Sequence, residues 1–302
     1  MNFSSIIGNN DVKRYLEYSI EKNNFLHSYL FCGTEGIGKS LIAKEFAKKI
    51  LCIGDKSETC TCKSCTCFTG NNHPDYDYIN KDGESVKIEI VRNITEKVIE
   101  KPIISLKKVY IINDCEKMTK EAQNCLLKTL EEPPEFVVII LISSNENLIL
   151  NTIKSRCMIV NFQNILDDEL KNYAIKYIGY DFVSDNLLKS FDGSIGKAIK
   201  LKDNKDNYLK IEQLILNFDK KDIIDIMLDS KIIYDKENIY DILDYIIVFL
   251  YSNKEKNYAF INCVKHVNKC ILRLKSNCNF DMSVDTMLFE MWREINENSN
   301  RS

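Results

Sequence analysis

Apolar residues follow two alternating rhythms in the first half of the chain. "HSYLFC", "VYII" and "FVVIILISSNE" (beginning at His27, Val109 and Phe136) are nearly uninterrupted apolar runs. Such runs predict strands buried on both faces, as in a parallel sheet. "HPDYDYI", from His73, predicts a turn leading into another strand. Between the strands the period changes. In "LIAKEFAKKIL", Ile42, Phe46 and Ile50 recur at helical spacing, and "SVKIEIVRNITEKVIEKP" predicts a helix stopped near Pro102. Thr119 is placed to cap a third helix, with Glu121 in its first turn; that helix runs to the Pro133-Pro134 pair, which cannot continue it. Leu126, Leu127 and Leu130 line one face of it, with Glu131 and Glu132 expected in solvent. Strands alternating with helices predict an α/β architecture with a parallel sheet. From about Asp203 only the helical period remains, in "YLKIEQLILNF", "DIIDIMLDS", "IYDILDYIIVFLYS" and "YAFINCVKHVNKCILRL", and the polar "NENSNRS" at the end is expected to fray.

The chain has 302 residues, 45% of them hydrophobic and 28% charged. That composition fits two or three folded domains and not a disordered segment. A net charge of −3 argues against a strongly basic, self-sufficient nucleic-acid binder. The first residues lack a basic head followed by an apolar core, and the longest apolar run, "YIIVFLY", is too short to span a bilayer. A cytoplasmic protein with no membrane partner is expected. Its 12 cysteines are then no disulfide framework, and the five between Cys52 and Cys67 point to metal.

The strongest motif is "GTEGIGKS", Gly33 to Ser40, which satisfies G-x-x-x-x-G-K-[ST] and lies between a predicted strand and a predicted helix. Gly36 and Gly38 let backbone N–H groups approach phosphates, Lys39 reaches the β- and γ-phosphates, and Ser40 offers a hydroxyl to magnesium. Thr34, Glu35 and Ile37 complete a loop suited to ATP with Mg2+. The alternative is a glycine-rich turn that merely opens a helix.

Five cysteines follow between residues 52 and 67. Zinc takes four tetrahedral ligands, and an all-thiolate set is the usual closed structural site. Cys52, Cys60, Cys62 and Cys65 are the favoured set, with Cys67 as the alternative fourth ligand; His73 stands nearby, and free surface thiols are the competing reading. Farther along, Cys263, His266 and Cys270 share one predicted helix and lack a fourth ligand at suitable spacing, so core and surface roles are expected for them.

"VYIINDCE", 109–116, carries a difficulty. Where a strand of a nucleotide-hydrolysing P-loop protein meets its site, an Asp commonly holds the magnesium ion, often followed by a Glu that activates water. Here Asn113 and Asp114 stand instead. The amide removes a carboxylate from the metal shell, and the shorter acid sets any base back.

"HSYLFCGTEGIGKS", the cysteine cluster running into "HPD", "AQNCLLKTLEEPP" and "TIKSRC" occur in an order that resembles the AAA+ clamp-loader subunits of bacterial DNA polymerase III, and among them the delta-prime type. The resemblance covers Met1 to about Leu201. It implies an AAA+ P-loop domain over 1–162 with a zinc knuckle inserted at about 52–67, a small helical lid over 163–202, and an all-α collar over 203–302. It also implies site roles. Gly33 to Ser40 correspond to the Walker A loop, Asn113 and Asp114 to a degenerate Walker B pair, and Ser144 and Asn145 to the sensor-1 region. Arg156 corresponds to an arginine finger acting in trans, and Lys197 in "GSIGKA" to the sensor-2 position. Lys197 keeps the charge there but lacks the planar fork of Arg. A bland alternative for Arg156 is a surface ion pair, and for Asn113 an amide capping the strand end.

The resemblance implies a subunit that helps the holoenzyme load the sliding clamp onto primed DNA, with little or no hydrolysis of its own and no polymerase site. Its partners would be gamma/tau- and delta-type subunits, reached through the collar and AAA+ domains, with clamp and DNA engaged through the complex. A gamma/tau-type motor ATPase is the alternative; Asn113 and the missing long tail count against it. A zinc-containing nucleic-acid-binding module is a third reading, disfavoured by the acidic balance.

Overall fold

Five strands form one sheet: β1 (Ser28–Cys32), β2 (Tyr76–Ile79), β3 (Lys108–Ile112), β4 (Val137–Ser143) and β5 (Met158–Asn161). Their order is β2-β3-β4-β1-β5, and every pairing is parallel. β1, β3 and β4 are buried along their whole length, because each alternation of the pleat meets a separate core. Tyr29, Phe31, Val109, Ile111, Val138 and Ile140 point into one, which α1 (Asn10–Glu21) and α2 (Lys39–Leu51) cover with Leu16, Ile42, Phe46 and Ile50. Leu30, Tyr110, Ile112, Ile139 and Leu141 point into the other. β5 is the edge on the far side of β1, and only its Val160 is buried.

The computed structural model describes residues 3–80, 85–177, 191, 193–203, 205–255 and 257–299. It divides into two compact units, Met1–Leu166 and Asp167–Ser302. No helix among the described residues is long and apolar enough to cross a membrane.

Two segments of the first unit depart from the periodicity. Inside the cysteine-rich stretch lies a short helix, α3 (Lys63–Thr69), capped by the Cys62 sulfur, which accepts from the Cys65 N–H. The helix predicted from Ser85 to Pro102 is only α4 (Ile88–Lys97). Val86 instead bridges to Met118 beside the sheet. Beyond Lys97 the backbone N–H groups of Ile103, Ile104 and Ser105 turn onto the buried Asp75 carboxylate at 2.6, 2.7 and 2.8 Å. Three donors converging on one carboxylate hold this loop out of the helix. On the same face, α5 (Lys120–Glu131) begins at Thr119, whose hydroxyl accepts from the Ala122 N–H, and α6 (Asn151–Lys154) follows β4. With α4 they carry Val91, Ile94, Leu126, Leu130 and Ile153 onto the second core.

In the second unit the described elements are helical: Asp167–Tyr177, Ile195–Asp203, Lys205–Leu216, Ile223–Asp229, Ile239–Ser252, Ala259–Lys275 and Phe280–Ser299. The three-to-four spacing read from the sequence marks their buried faces, with Phe218, Leu243, Cys263, Val267 and Val284 fully enclosed. The expected fraying from Asn296 is not what the structure shows. The last helix continues to Ser299, because Asn296 donates to the carbonyls of Phe218 (3.0 Å) and Trp292 (2.9 Å). Asn300 to Ser302 lie outside the described residues. Cys263 and Cys270 are core residues and His266 Nδ1 pairs with Glu290 at 2.7 Å, so this helix uses none of them as a metal set.

A buried polar knot ties α2, α3 and the Asp75 loop together. The Leu51 carbonyl accepts from Ser64 Oγ (2.7 Å) and Ser105 Oγ (2.6 Å), and both hydroxyls meet His73 Nε2. His73 Nδ1 accepts from the Asp75 N–H at 3.0 Å, so the ring is held neutral with its proton on Nε2. Burial lowers its pKa, partly opposed by Asp75. The unfolded state therefore binds the proton more readily. The knot's contribution is complete above about pH 6.5 and is lost as pH falls through the lowered folded value, at up to about 1.4 kcal/mol per pH unit. Urea midpoints measured between neutral and acidic pH should show this slope, and His73→Gln should flatten it. An equal slope in both proteins would mean that other groups carry it.

Candidate nucleotide and metal sites

The phosphate loop begins where β1 ends and closes where α2 starts. Gly33 has φ +149°, and a Cβ there would lie 2.8 Å from both the Phe162 carbonyl and the Ile37 side chain. No larger residue fits without moving β5. Gly36 and Gly38 have φ of 78° and 96°, and Gly38 caps α2 from the left-handed region. Thr34 Oγ1 donates to Asn164 Oδ1 at 2.6 Å, and Glu35 is exposed. The Ile37 side chain is in the core, so only its backbone faces the loop. Lys39 lies across the loop, its ammonium donating at 2.6 Å to the carbonyls of Gly33 and Thr34. Burial lowers its pKa, opposed by Glu116, Asp114 and Glu35.

The parallel register brings the strand ends together. Ser40 Oγ donates to Asn113 Oδ1 at 3.0 Å, so the loop hydroxyl and the residue after β3 meet as a metal-binding pair would. The amide's other end turns toward Asn80: Asn113 Nδ2 lies 3.5 Å from the Asn80 carbonyl, and Asn80 Nδ2 donates to the Asn113 carbonyl at 3.1 Å. Asn113 thus meets the loop hydroxyl with its amide oxygen and caps the strand end as well. Asp114 adopts φ 47° and pairs with Lys117 at 3.1 Å one turn on.

Glu116, beyond the two residues that follow the strand, matches no motif in the sequence. It sits in the short 3-10 turn Cys115–Lys117, and its Oε1 accepts from the Ser144 N–H (3.0 Å) and from the Ser144 hydroxyl. Its Oε2 is buried without a hydrogen-bond partner. Asn145 follows Ser144 in sequence, but its Oδ1 accepts from the Asn147 N–H (3.1 Å), closing a turn. Lys197 lies in the second unit, paired there with Asp244 at 3.3 Å.

Arg156 follows α6. Its guanidinium meets Glu131 at 2.6 Å and the Thr152 carbonyl at 2.9 Å. Glu131 is exposed, as its position had suggested, and is an ion-pair partner as well. Both side chains remain accessible, at 34% for Arg156 and 49% for Glu131.

Cys52, Cys60, Cys62 and Cys65 place their sulfurs within 4.8 Å of one another, and Cys67 is not part of the group. The Cys52 sulfur is 3.6 Å from that of Cys60 and 3.8 Å from that of Cys62. Tetrahedral thiolates on a metal at about 2.3 Å have S···S separations of about 3.8 Å, so the set fits one ion. Burial raises the Cys62 thiol but is outweighed by the N–H groups of Cys65 and Ile53 and the neighbouring thiols, which bring it down to about 6. Burial and its sulfur neighbours push Cys65 the other way. His73, turned into the Ser64–Ser105 knot, is no ligand.

A family model described as "DNA polymerase III, delta subunit" matches residues 8–166. The chain is 33% identical over 194 residues to DNA polymerase III subunit delta' of Bacillus subtilis, an alignment covering 64% of this chain and 59% of that protein. It is 30% identical over 224 residues to DNA polymerase III subunit gamma/tau of Mycoplasma pneumoniae, covering 71% of this chain and 32% of that protein. The matched stretch thus spans less than two thirds of either relative. The crystal structure of a DNA polymerase III gamma subunit-related protein from Thermotoga maritima has a TM-score of 0.56 at 19% identity over 92% of this chain and 99% of that one, a likeness of fold.

The accessible Arg156–Glu131 pair should carry little stability. Glu131→Gln is expected to change the unfolding free energy by less than about 1 kcal/mol in denaturant titrations. A loss above about 2 kcal/mol would make Arg156 a structural clamp instead of a residue available to another chain.

Proposed function

On the premise that the chain belongs to the DNA polymerase III delta-subunit family, we propose that it is a delta-prime-type clamp-loader subunit of the bacterial holoenzyme. It would help ATP-dependent loading of the sliding clamp onto primed DNA by supplying Arg156 to a neighbouring subunit's nucleotide. The observation that carries this reading is the Ser40–Asn113 contact, a metal-binding pair built with an amide where a carboxylate would be expected. An intact phosphate loop beside a weakened metal shell fits a subunit that holds nucleotide and hydrolyses it poorly. Arg156 needs no chemistry in its own site.

The residues present suit ATP in part. Loop N–H groups, Lys39 and Ser40 suit a triphosphate; Asn113 supplies magnesium with a neutral oxygen only. Bound nucleotide would supply the charge that Lys39 neutralises, and Lys39 would exchange the Gly33 and Thr34 carbonyls for phosphate oxygens. The four cysteines suit Zn2+ in a closed structural site, with no position left for substrate. A lid over 163–202, most of it in the second unit, would carry Lys197 as its sensor residue, and a collar over 203–302 would pack against gamma/tau- and delta-type subunits in the cytoplasm. Clamp and primed DNA would be met through the complex. A gamma/tau-type motor remains the second reading, favoured by the unaltered Gly33–Ser40 motif.

In a reconstituted loader, Arg156→Ala should leave assembly intact and slow turnover at the adjoining site by about 10³-fold or more. Steady-state ATP hydrolysis of the complex reads this, and an unchanged rate removes the trans role. Hydrolysis by the chain alone, abolished by Lys39→Ala, would favour the motor reading. Chelation or Cys62→Ser should lower the melting temperature, and identical melting of metal-free and zinc-loaded protein would end the structural-zinc assignment.

A further inference from the structure

The nucleotide site has a carboxylate that no motif assigns. β4 lies between β3 and β1, and Ser143, its last residue, is in register with Cys32, the last residue of β1. Ser144 is therefore level with Gly33, the first residue of the phosphate loop, whose carbonyl holds the Lys39 ammonium. Glu116 is fixed on Ser144 by two hydrogen bonds to one oxygen, from the backbone N–H at 3.0 Å and from the hydroxyl. Its remaining oxygen, Oε2, is buried with no donor. A buried carboxylate oxygen without a donor is costly unless a cation or its water shell meets it.

The neighbouring acid is arranged differently. Asp114 is turned by its left-handed backbone into an exposed pair with Lys117. Among the charges acting on Lys39, Glu116 ranks ahead of Asp114. Glu116 thus stands three residues along the chain from Asn113, carried around the 3-10 turn to the end of the adjacent strand.

We propose that Glu116 is a further positioning residue of this site: its free carboxylate oxygen meets the water shell of the magnesium ion accompanying ATP, in place of the carboxylate missing at Asn113. Magnesium binds through few protein groups and keeps several waters, so an acid reached through water suits it. This assignment rests on reading Gly33–Ser40 as a nucleotide site, and its test separates the two.

The experiment is equilibrium titration of the full chain with a fluorescent ATP analogue, with magnesium and with EDTA. The wild type is compared with Lys39→Ala, Glu116→Gln and Asp114→Asn. Gln keeps the oxygen that accepts from Ser144 and removes only charge, so the fold should survive; matching melting curves check this. Ser144→Ala is the second variant, leaving the acid in place while removing one of its two anchors. Magnesium should tighten wild-type binding by about tenfold or more, the scale of one well-placed charge. In Glu116→Gln most of that gain should vanish while binding in EDTA is equal or tighter, because a negative charge near the phosphates is gone. Asp114→Asn should keep the wild-type gain and Ser144→Ala should keep part of it. A full magnesium gain in Glu116→Gln, or its loss in Asp114→Asn alone, overturns the assignment and leaves the nucleotide site standing. Absence of Lys39-dependent binding in every protein overturns the nucleotide reading and this assignment with it.

Discussion

The placement of β4 between β3 and β1, all parallel, is the constraint on which the nucleotide site depends. Parallel strands bring their carboxyl ends to one edge, so three loops distant in sequence open side by side. Ser40 can reach Asn113, and Glu116 can reach Ser144, because of that register. The register is in turn fixed by burial on both faces. A one-residue slip of β4 would exchange Val138, Ile140 and Ile142 with Ile139 and Leu141 between two differently shaped cores. Gly33 adds a local condition, since the loop leaves β1 against the Phe162 carbonyl with no room for a side chain.

How much of this was legible in the sequence depends on the range of the interactions. β1, β3, β4, α2 and α5 follow from apolar runs, helical spacing and the Thr119 cap, which are local. The four metal-competent cysteines were legible too, because they are close in sequence and only Cys67 had to be discarded. The end of α4 was not. It is decided by the Asp75 carboxylate, 28 to 30 residues from the N–H groups that it holds. The partner of Glu131 was hidden for a similar reason, since Arg156 belongs to a different loop. Glu116 escaped because its meaning depends on Ser144, across a strand pairing that no periodicity reveals.

Arg156 and the cysteine cluster illustrate two ways of placing charge. Arg156 sits on the short turn after α6 with its guanidinium satisfied by Glu131 and the Thr152 carbonyl, yet still reachable from outside. An exposed pair of this kind costs little to break, so a phosphate from another chain can compete for it. The thiols are arranged oppositely. Cys62 is driven toward thiolate while Cys65 resists it, and the cluster closes around a space fit for one cation. The first arrangement suits exchange of partners; the second suits permanence.

The phosphate-loop motif also has a structural role within this chain. Lys39 is buried and ties the loop by donating to the Gly33 and Thr34 carbonyls. The glycines hold backbone angles that other residues reach only with strain, and Gly38 opens α2, whose Ile42 and Phe46 complete the core. The loop's fixed residues therefore carry part of the fold whether or not ATP is cleaved. Asn113 differs from these residues: it meets Ser40 and Asn80 at the sheet edge and is not part of the core beneath the loop.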